Sequence, residues 1–330
     1  MKRFLAVLMA GVLVFLMCAC GSAKTEGTTV VRLNEVTHSV FYAPMYLAIE
    51  KGFFAEEGIE IELTNGGGAD KVMTAVLSGQ SDVGLAGPEA CIYVYNQQKD
   101  NYPVVFGQLT KRDGSFLVGR TDDDFSWSDL KGKTIIGGRA GGVPEMTLEY
   151  VMRLNGVTPG ADATVDTTVQ FNMMAGAFTG GSGDYVTLFE PTATEVANAG
   201  KGYILTSVGQ ESGEIPYTAF FASQSYISEN AVTVQGFANA VAKGQKWVQE
   251  HSAAETAQAI APQFPDTKTD TLTDVVQRYK DIDAWNLTPV MKEASLERLE
   301  TVMETAGVLE RSQWVDFSKL VDNSFAEKTA

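Results

Sequence analysis

Short alternating segments and helical segments follow one another along the first third of the chain. Residues 30–36 alternate apolar and polar positions and predict a strand, and residues 45–54 carry apolar side chains at helical spacing. Further strands are predicted at 59–63 and 82–86, each followed by a loop and a helix. This βαβαβα order predicts a parallel sheet with helices on both faces.

A second unit of the same kind follows two apolar segments at 104–110 and 115–120. Its strands are predicted at 134–137, 164–171 and 185–189, with helices between them. Since the two units have the same order of elements, we expect two similar α/β lobes.

The chain becomes helical in pattern beyond residue 231. Apolar residues recur at helical spacing in five segments, 232–250, 253–261, 272–279, 289–306 and 314–325. We expect these helices to pack on the first lobe, so that the chain crosses between the lobes twice, near 111–115 and near 212–217. Both crossings hold Gly and polar residues, which suit hinge strands that absorb a dihedral change.

The predicted fold class is therefore α/β and periplasmic-binding-protein-like, with two lobes of mainly parallel sheets joined by two hinge strands and a helical C-terminal portion on the first lobe. The expected organisation is a signal peptide at 1–19, a lipidated tether at 20–29, a first lobe built from 30–112 and 216–330, and a second lobe at 113–215.

The first residues predict export. Lys2 and Arg3 precede an uncharged apolar run at 4–17, which is short for a membrane-spanning helix and typical of a secretory signal peptide. The end of this run resembles the bacterial lipobox, in which a Cys after a small residue is acylated, and Cys20 fits that role although Met17 stands where Leu is usual. A lipoprotein on the extracytoplasmic side of the cell membrane is expected. The alternative is ordinary cleavage nearby, which would release a soluble protein.

Composition narrows the partners and the chemistry. The chain has 25 Lys+Arg against 41 Asp+Glu, a formal charge of −16, which argues against nucleic acid as a partner. Cys91 is the one Cys beyond the lipobox region, so we expect no internal disulfide and a buried small side chain there. With only His38 and His251 as histidines, we expect no metal and no cofactor, and we expect a monomer.

Several runs of residues resemble the ABC solute-binding proteins for sulfonates, nitrate and thiamine precursors. The most specific run is Tyr-Ala-Pro-Met-Tyr-Leu-Ala-Ile-Glu-Lys-Gly-Phe-Phe-Ala-Glu-Glu-Gly-Ile at 42–59, and residues 77–84, 129–134 and 297–303 support it. The resemblance covers nearly the whole chain from Val30. It implies two lobes that close on a ligand in the cleft and an ABC permease as partner, and it leaves the ligand open.

Sheet topology predicts where a ligand would bind. In open parallel sheets, ligands bind beyond the carboxyl ends of the strands. Five loops occupy such positions, at 37–44, 65–69, 87–89, 138–144 and 189–191. Three of them are rich in Gly and open helices, whose N-terminal N–H groups suit an anionic or polar group, although Gly66 to Gly68 equally fit a plain turn.

The candidate ligand-binding residues all lie on these loops. They are His38, Ser39, Tyr42, Gly67, Gly68, Gly87, Glu89, Arg139, Gly141, Gly142, Phe189 and Glu190. The aromatic side chains, with Phe41, suit a planar ligand, although a single aromatic is more often core. Arg139 suits a sulfonate or carboxylate, or else a neighbouring acid. The acids Glu89, Glu145 and Glu190 favour an amine or aminopyrimidine, although Glu89 and Glu145 also match a helix dipole.

The favoured function is capture of a small organic solute, an aminopyrimidine-like thiamine precursor, for an ABC importer. A sulfonate, taurine or nitrate is the alternative ligand. A sensory lipoprotein is an alternative of another class, as is an enzyme similar to the eukaryotic pyrimidine synthase, whose Cys-rich motif this chain lacks. We predict that Glu190→Ala weakens binding more than about tenfold.

Overall fold

The computed structural model describes residues 27–98 and 100–329. The predicted signal peptide and Cys20 lie outside the described residues. Ten strands are described, β1 Thr29–Glu35, β2 Ile59–Asn65, β3 Val83–Ala86, β4 Pro103–Thr110, β5 Phe116–Gly119, β6 Thr134–Ile136, β7 Thr164–Asp166, β8 Tyr185–Leu188, β9 Tyr203–Ser207 and β10 Thr218–Ser223. The helices of the first half are α1 Ala43–Glu50, α2 Phe53–Glu56, α3 Ala69–Leu77, α4 Glu89–Asn96, α5 Val143–Leu154, α6 Met174–Thr179 and α7 Thr192–Asn198. Those of the second half are α8 Val208–Ser212, α9 Gln224–Glu229, α10 Ala231–Glu250, α11 Ala253–Ile260, α12 Thr269–Asp281, α13 Glu293–Thr305 and α14 Phe317–Leu320.

The strands form two five-stranded sheets of the same topology. The first has the order β2-β1-β3-β10-β4 and the second the order β7-β6-β8-β5-β9. In each sheet three neighbouring strands are parallel, the fourth is antiparallel, and the fifth again pairs antiparallel with the fourth. Four strands of five therefore run in one direction, and the predicted α/β fold with two lobes of mainly parallel sheets is confirmed. We call the parts around these sheets the first lobe and the second lobe.

The antiparallel strand of each sheet is the one that the chain enters on crossing from the other lobe. The chain leaves the first sheet at Thr110 and enters the second at Phe116, and it returns from Ser207 to Thr218 through α8. The two connections, 111–115 and 208–217, lie side by side and are joined by backbone hydrogen bonds, such as that from Ile215 N–H to the Lys111 carbonyl at 2.9 Å. Paired connections of this kind suit a hinge.

The helices after residue 230 pack on the first lobe. The 20-residue helix α10 contacts α1, α2 and β4, and α11 packs against both α1 and α12. Gly244 allows the close approach of α10 and α1, because a Cβ there would lie 2.2 Å from the Pro44 carbonyl oxygen. Ser252 opens α11 with a capping box that includes Glu255.

Two predicted elements are much shorter in the structure, and the helix predicted over 289–306 begins only at Glu293. The strand predicted over 164–171 ends at Asp166, because its carboxylate accepts the backbone N–H of Thr168 at 2.9 Å and turns the chain. The helix predicted over 314–325 is reduced to α14, because the Asp316 side chain caps a new helix start at Ser318 N–H. Strands β9 and β10 and helices α8 and α9 are not predicted from the sequence.

Within the described part of the chain, no helix is both long enough and apolar enough to cross a membrane.

Candidate functional site

All five loops predicted at the carboxyl ends of strands meet between the two lobes. They line three adjoining cavities of about 100, 60 and 40 Å³. Of the twelve candidate residues, eleven line at least one of these cavities, and Gly141 lies just behind them, where its carbonyl accepts the Tyr93 hydroxyl at 2.9 Å. Phe171 lies on the wall of all three and joins them into one interlobe cleft.

The largest cavity is lined by Ser39 and His38 of the first lobe and by Phe189 and Glu190 of the second. Ser39 is buried, and its hydroxyl donates to the Glu190 carbonyl oxygen at 2.5 Å. This hydrogen bond joins the 37–44 loop of the first lobe to the 189–191 loop of the second.

The Glu190 carboxylate is occupied by protein partners. It is 1% exposed, it forms an ion pair with Arg278 of α12, and it accepts the backbone N–H and the hydroxyl of Thr194, each at 2.9 Å. Burial raises the pKa of Glu190, while Arg278 and Thr194 act in the opposite direction. The sequence places Glu190 correctly at the cleft, but its carboxylate contacts the opposite lobe.

Both ring nitrogens of His38 are likewise hydrogen-bonded to protein atoms. Nδ1 lies 2.8 Å from Glu35 Oε1, and Nε2 lies 2.8 Å from the Gln263 carbonyl oxygen. Burial alone would lower the pKa of His38, but the hydrogen bonds to Glu35 and to Gln263 raise it. The ring therefore fixes the 37–44 loop against the C-terminal helices and presents no free nitrogen to the cleft.

The second cavity is lined by charged residues and by glycines. Asp70 at the start of α3, Glu89 at the start of α4 and Arg139 surround it, together with Gly67, Gly68 and Gly142. The guanidinium of Arg139 is 45% exposed, and its Nε lies 3.9 Å from Asp70 Oδ1. Arg139 is thus held loosely at the mouth of this cavity.

Glu89 lies on the walls of the second and third cavities and is 1% exposed. Its Oε2 atom is buried and has no hydrogen-bond partner among the described residues. Burial raises the pKa of Glu89 to about 7, although the charge of Arg139 and the backbone N–H of Val143 lower it. A buried acceptor without a donor is costly, and this one belongs to a side chain on the wall of the cleft.

Gly87 makes this position of the carboxylate possible. A Cβ at Gly87 would lie 2.0 Å from Glu89 Oε2 and 2.8 Å from a methyl group of Val143. The Gly-Pro-Glu sequence that ends β3 therefore folds the Glu89 side chain back toward the start of α5 in the second lobe.

The start of α5, one of the Gly-rich helix starts predicted to suit an anionic or polar group, has few free donors. The Gly141 N–H donates to Glu145 Oε2 at 3.0 Å, and the Gly142 N–H donates to the Arg139 carbonyl at 3.0 Å. The Val143 N–H lies close enough to Glu89 to lower the pKa of its carboxyl group. Carboxylates of the protein itself thus occupy the position that a bound anion would take.

Aromatic side chains form the remaining walls. Phe171 and Phe189, with ring centroids 5.6 Å apart, are partly exposed to the cleft, and Tyr42 and Tyr217 line the third cavity. Phe41 is fully buried beneath them and belongs to the core. Phe171 was missed from the sequence, although it ends a predicted strand and thereby occupies the same kind of position as the five predicted loops.

Cys91 is fully buried one turn into α4, as predicted. Among residues 27–98 and 100–329, no group of three or more His, Cys, Asp or Glu side chains is placed to hold a metal ion. The cleft offers aromatic faces, one unpaired carboxylate oxygen and exposed charged side chains at its mouth, which together suit a small, partly planar, polar molecule.

Two similar α/β lobes with a cleft between them define a periplasmic-binding-protein-like fold. The chain belongs to the NMT1/THI5-like family, whose model matches residues 40–255. It is 43% identical over 317 residues to "Putative binding protein YtlA" of Bacillus subtilis, covering 96% of this chain and 94% of the relative.

Two further relatives are more distant. A 4-amino-5-hydroxymethyl-2-methylpyrimidine phosphate synthase of Aspergillus parasiticus is 29% identical over 121 residues, which cover 36% of this chain and 34% of the synthase. The structure of the alkanesulfonate-binding protein SsuA from Xanthomonas axonopodis pv. citri superposes with a TM-score of 0.71 at 16% identity, covering 89% of this chain and 98% of that one. The structural similarity supports the fold and leaves the ligand undecided.

Proposed function

We propose that this protein captures an aminopyrimidine-like thiamine precursor in its interlobe cleft and delivers it to an ABC permease. The observation that carries the proposal is the unpaired, buried Oε2 of Glu89 between the aromatic walls of the cleft. A planar ring with an amino group would stack on Phe171 or Phe189 and donate a hydrogen bond to Glu89.

Two other features support this ligand over a sulfonate, taurine or nitrate. The α5 start, where an anion would bind, is already taken by Glu89 and Glu145. Arg139, the side chain suited to a sulfonate, is drawn to Asp70 at the mouth of the cleft. The distant synthase relative adds an independent link to pyrimidine chemistry.

A thermal-shift screen followed by calorimetry tests the ligand. We expect 4-amino-5-hydroxymethyl-2-methylpyrimidine or another aminopyrimidine to raise the melting temperature, because a ligand that binds only the folded state stabilises it by mass action. Taurine, methanesulfonate and nitrate form the comparison set. If one of these stabilises the protein and the pyrimidines do not, the ligand belongs to that class and not to the pyrimidines. If no small solute stabilises the protein, the proposed capture function is wrong.

The binding function is proposed to operate outside the cytoplasm, with acylated Cys20 as the membrane anchor and the protein as a monomer. Metabolic labelling with a palmitate analogue tests the anchor. We expect label in the wild-type chain and none in Cys20→Ser, whereas equal labelling of both would refute acylation at this Cys.

An enzyme and a sensor remain the functions to be distinguished from transport. The described cleft places no Cys and no free His nitrogen beside Glu89, so we propose that the chain is not an enzyme. Transport is separated from sensing by uptake of the labelled ligand, which should be lost on deletion of the binding protein and restored by the wild-type chain.

A further inference from the structure

Glu89 reaches the cleft from the first lobe, but its carboxylate lies against the second. It begins α4 at the end of β3, and Val143, the first residue of α5, faces it from the second lobe. The carboxylate therefore lies at the interlobe boundary, on the walls of two of the three cavities. A ligand held there would contact both lobes.

The charges near this point are unbalanced. Among the described side chains that line the second cavity, Asp70 and Glu89 are acidic and Arg139 is basic. Arg139 is 45% exposed, so that water screens its charge, whereas Glu89 is buried. An incoming anion would meet a buried carboxyl group, while an N–H donor would supply the hydrogen bond that Oε2 lacks.

We propose that Glu89 is the specificity-determining residue of the cleft and selects solutes that present an N–H donor, on an amino-substituted ring or a protonated amine, over anions. This inference rests on the proposed function and deepens it, because it names the atom that distinguishes the ligand classes. A hydrogen bond to a charged group is worth roughly 1.5–3 kcal/mol, or about tenfold or more in affinity.

Glu89→Gln is the test variant, because it keeps the size of the side chain and removes the charge. Glu300→Gln is the matched control. Glu300 of α13 is 2% exposed, burial raises its pKa to about 7 as it does for Glu89, and it accepts the Val315 N–H at 2.6 Å. It lines none of the three cavities of the cleft. Urea unfolding of both variants shows that each is folded before binding is measured.

The probes are 4-amino-5-hydroxymethyl-2-methylpyrimidine, propylamine, taurine, methanesulfonate and nitrate, measured by calorimetry at pH 8, above the pKa of about 7 of Glu89, so that its carboxyl group is mostly ionised. We expect the wild-type protein to prefer the aminopyrimidine, Glu89→Gln to weaken that binding about tenfold or more, and Glu300→Gln to leave it unchanged. The amine tests whether an N–H donor suffices without a ring.

Three outcomes overturn the inference. One is tighter binding of methanesulfonate or nitrate than of the N–H donors by the wild-type protein. Another is binding of the aminopyrimidine by Glu89→Gln within about twofold of wild type. Both would leave solute capture intact. The third is binding of none of the five probes, after which the wider thermal-shift screen decides separately whether the cleft captures any solute.

Discussion

Gly209 is the position where the two interlobe connections come closest. A Cβ there would lie 1.9 Å from the backbone oxygen of Asp113, which belongs to the other connection. Backbone hydrogen bonds hold the two connections together near this point, such as that from the Val208 N–H to the Ser115 carbonyl at 3.1 Å. Neither connection can therefore move away easily.

We therefore expect Gly209→Ala to lower the free energy of unfolding by about 3 kcal/mol, because the added methyl group overpacks the hinge. Urea unfolding measures it. The control is Gly176→Ala in α6, where a Cβ meets nothing within 4 Å and where alanine should stabilise the helix by about 0.5–1 kcal/mol. Equal stability of the two variants would show that the connections are freer than the structure indicates.

Single residues show how far the sequence leads toward the site. Glu89 and Glu190 both follow strands, so their place at the cleft was predictable from topology. Their different environments were not, because the partner of Glu190, Arg278, lies 88 residues further along the chain on another lobe. Sequence patterns report the element on which a residue lies, whereas hydrogen-bond partners depend on how distant elements pack.

At the scale of elements, helix α12 holds the second lobe against the first. Arg278 pairs with Glu190, and the Tyr279 hydroxyl accepts the Glu190 N–H at 3.1 Å and donates to the Gly114 carbonyl at 3.0 Å. With the Ser39 hydrogen bond, these contacts join the start of α7 to the first lobe.

We expect Arg278→Met to lower the free energy of unfolding by about 2 kcal/mol, because it leaves the buried Glu190 carboxylate without its counter-charge. The value is smaller than for a fully buried pair, since the Arg278 side chain is 32% exposed. Lys246→Met, which removes an exposed pair with Glu250, is the control and should change stability by less than about 0.5 kcal/mol. If Arg278→Met and Lys246→Met change the free energy of unfolding equally, the Arg278–Glu190 pair does not stabilise the fold.

The Glu190→Ala variant is still expected to weaken ligand binding more than about tenfold, but through loss of the closed arrangement. Arg278→Met touches no cavity wall and should weaken binding in the same way if this explanation holds. Calorimetry with the ligand found by the thermal-shift screen compares the two. If Arg278→Met leaves the affinity unchanged and Glu190→Ala lowers it, the explanation is wrong and Glu190 contacts the ligand directly.

Secondary structure was predictable where apolar periodicity is long or bounded by Gly and Pro. The pattern predicted the three parallel strands of each sheet. It also predicted α10, which begins one residue before the predicted start and ends at the predicted residue. It failed at 314–325, where apolar residues at helical spacing belong to a short helix and irregular chain capped by Asp316. Local capping by a side chain overrides periodicity there.

At the scale of the whole molecule, buried carboxyl groups set the dependence of stability on pH. Burial raises the pKa of Glu89, Asp113, Glu145 and Glu300 to about 7, from ordinary values of 4.5 for Glu and 3.8 for Asp. Between those values the folded chain binds more protons than the unfolded chain, so stability falls as the pH rises. The formal charge of −16 acts in the same direction through self-repulsion.

We expect the free energy of unfolding to be larger near pH 5 than near pH 8 by about 2 kcal/mol or more. Urea unfolding across this range measures the slope, and Glu300→Gln should flatten it because one of the contributing groups no longer titrates. A stability that is constant or rises with pH would mean that these carboxyl groups are ionised in the folded protein without cost.

The repeated topology of the two sheets bears on how the molecule would work. Each lobe is entered through its antiparallel strand, β5 or β10, and the two connections are paired, so rotation about them would move the lobes as units. We predict closure on the ligand: small-angle scattering should show a smaller radius of gyration when wild-type protein is saturated. Arg278→Met should be more expanded than wild type when both are measured without ligand, because an ion pair that joins the lobes is lost. An unliganded variant as compact as wild type, together with no compaction on saturation, would show that the cleft binds its solute without lobe movement.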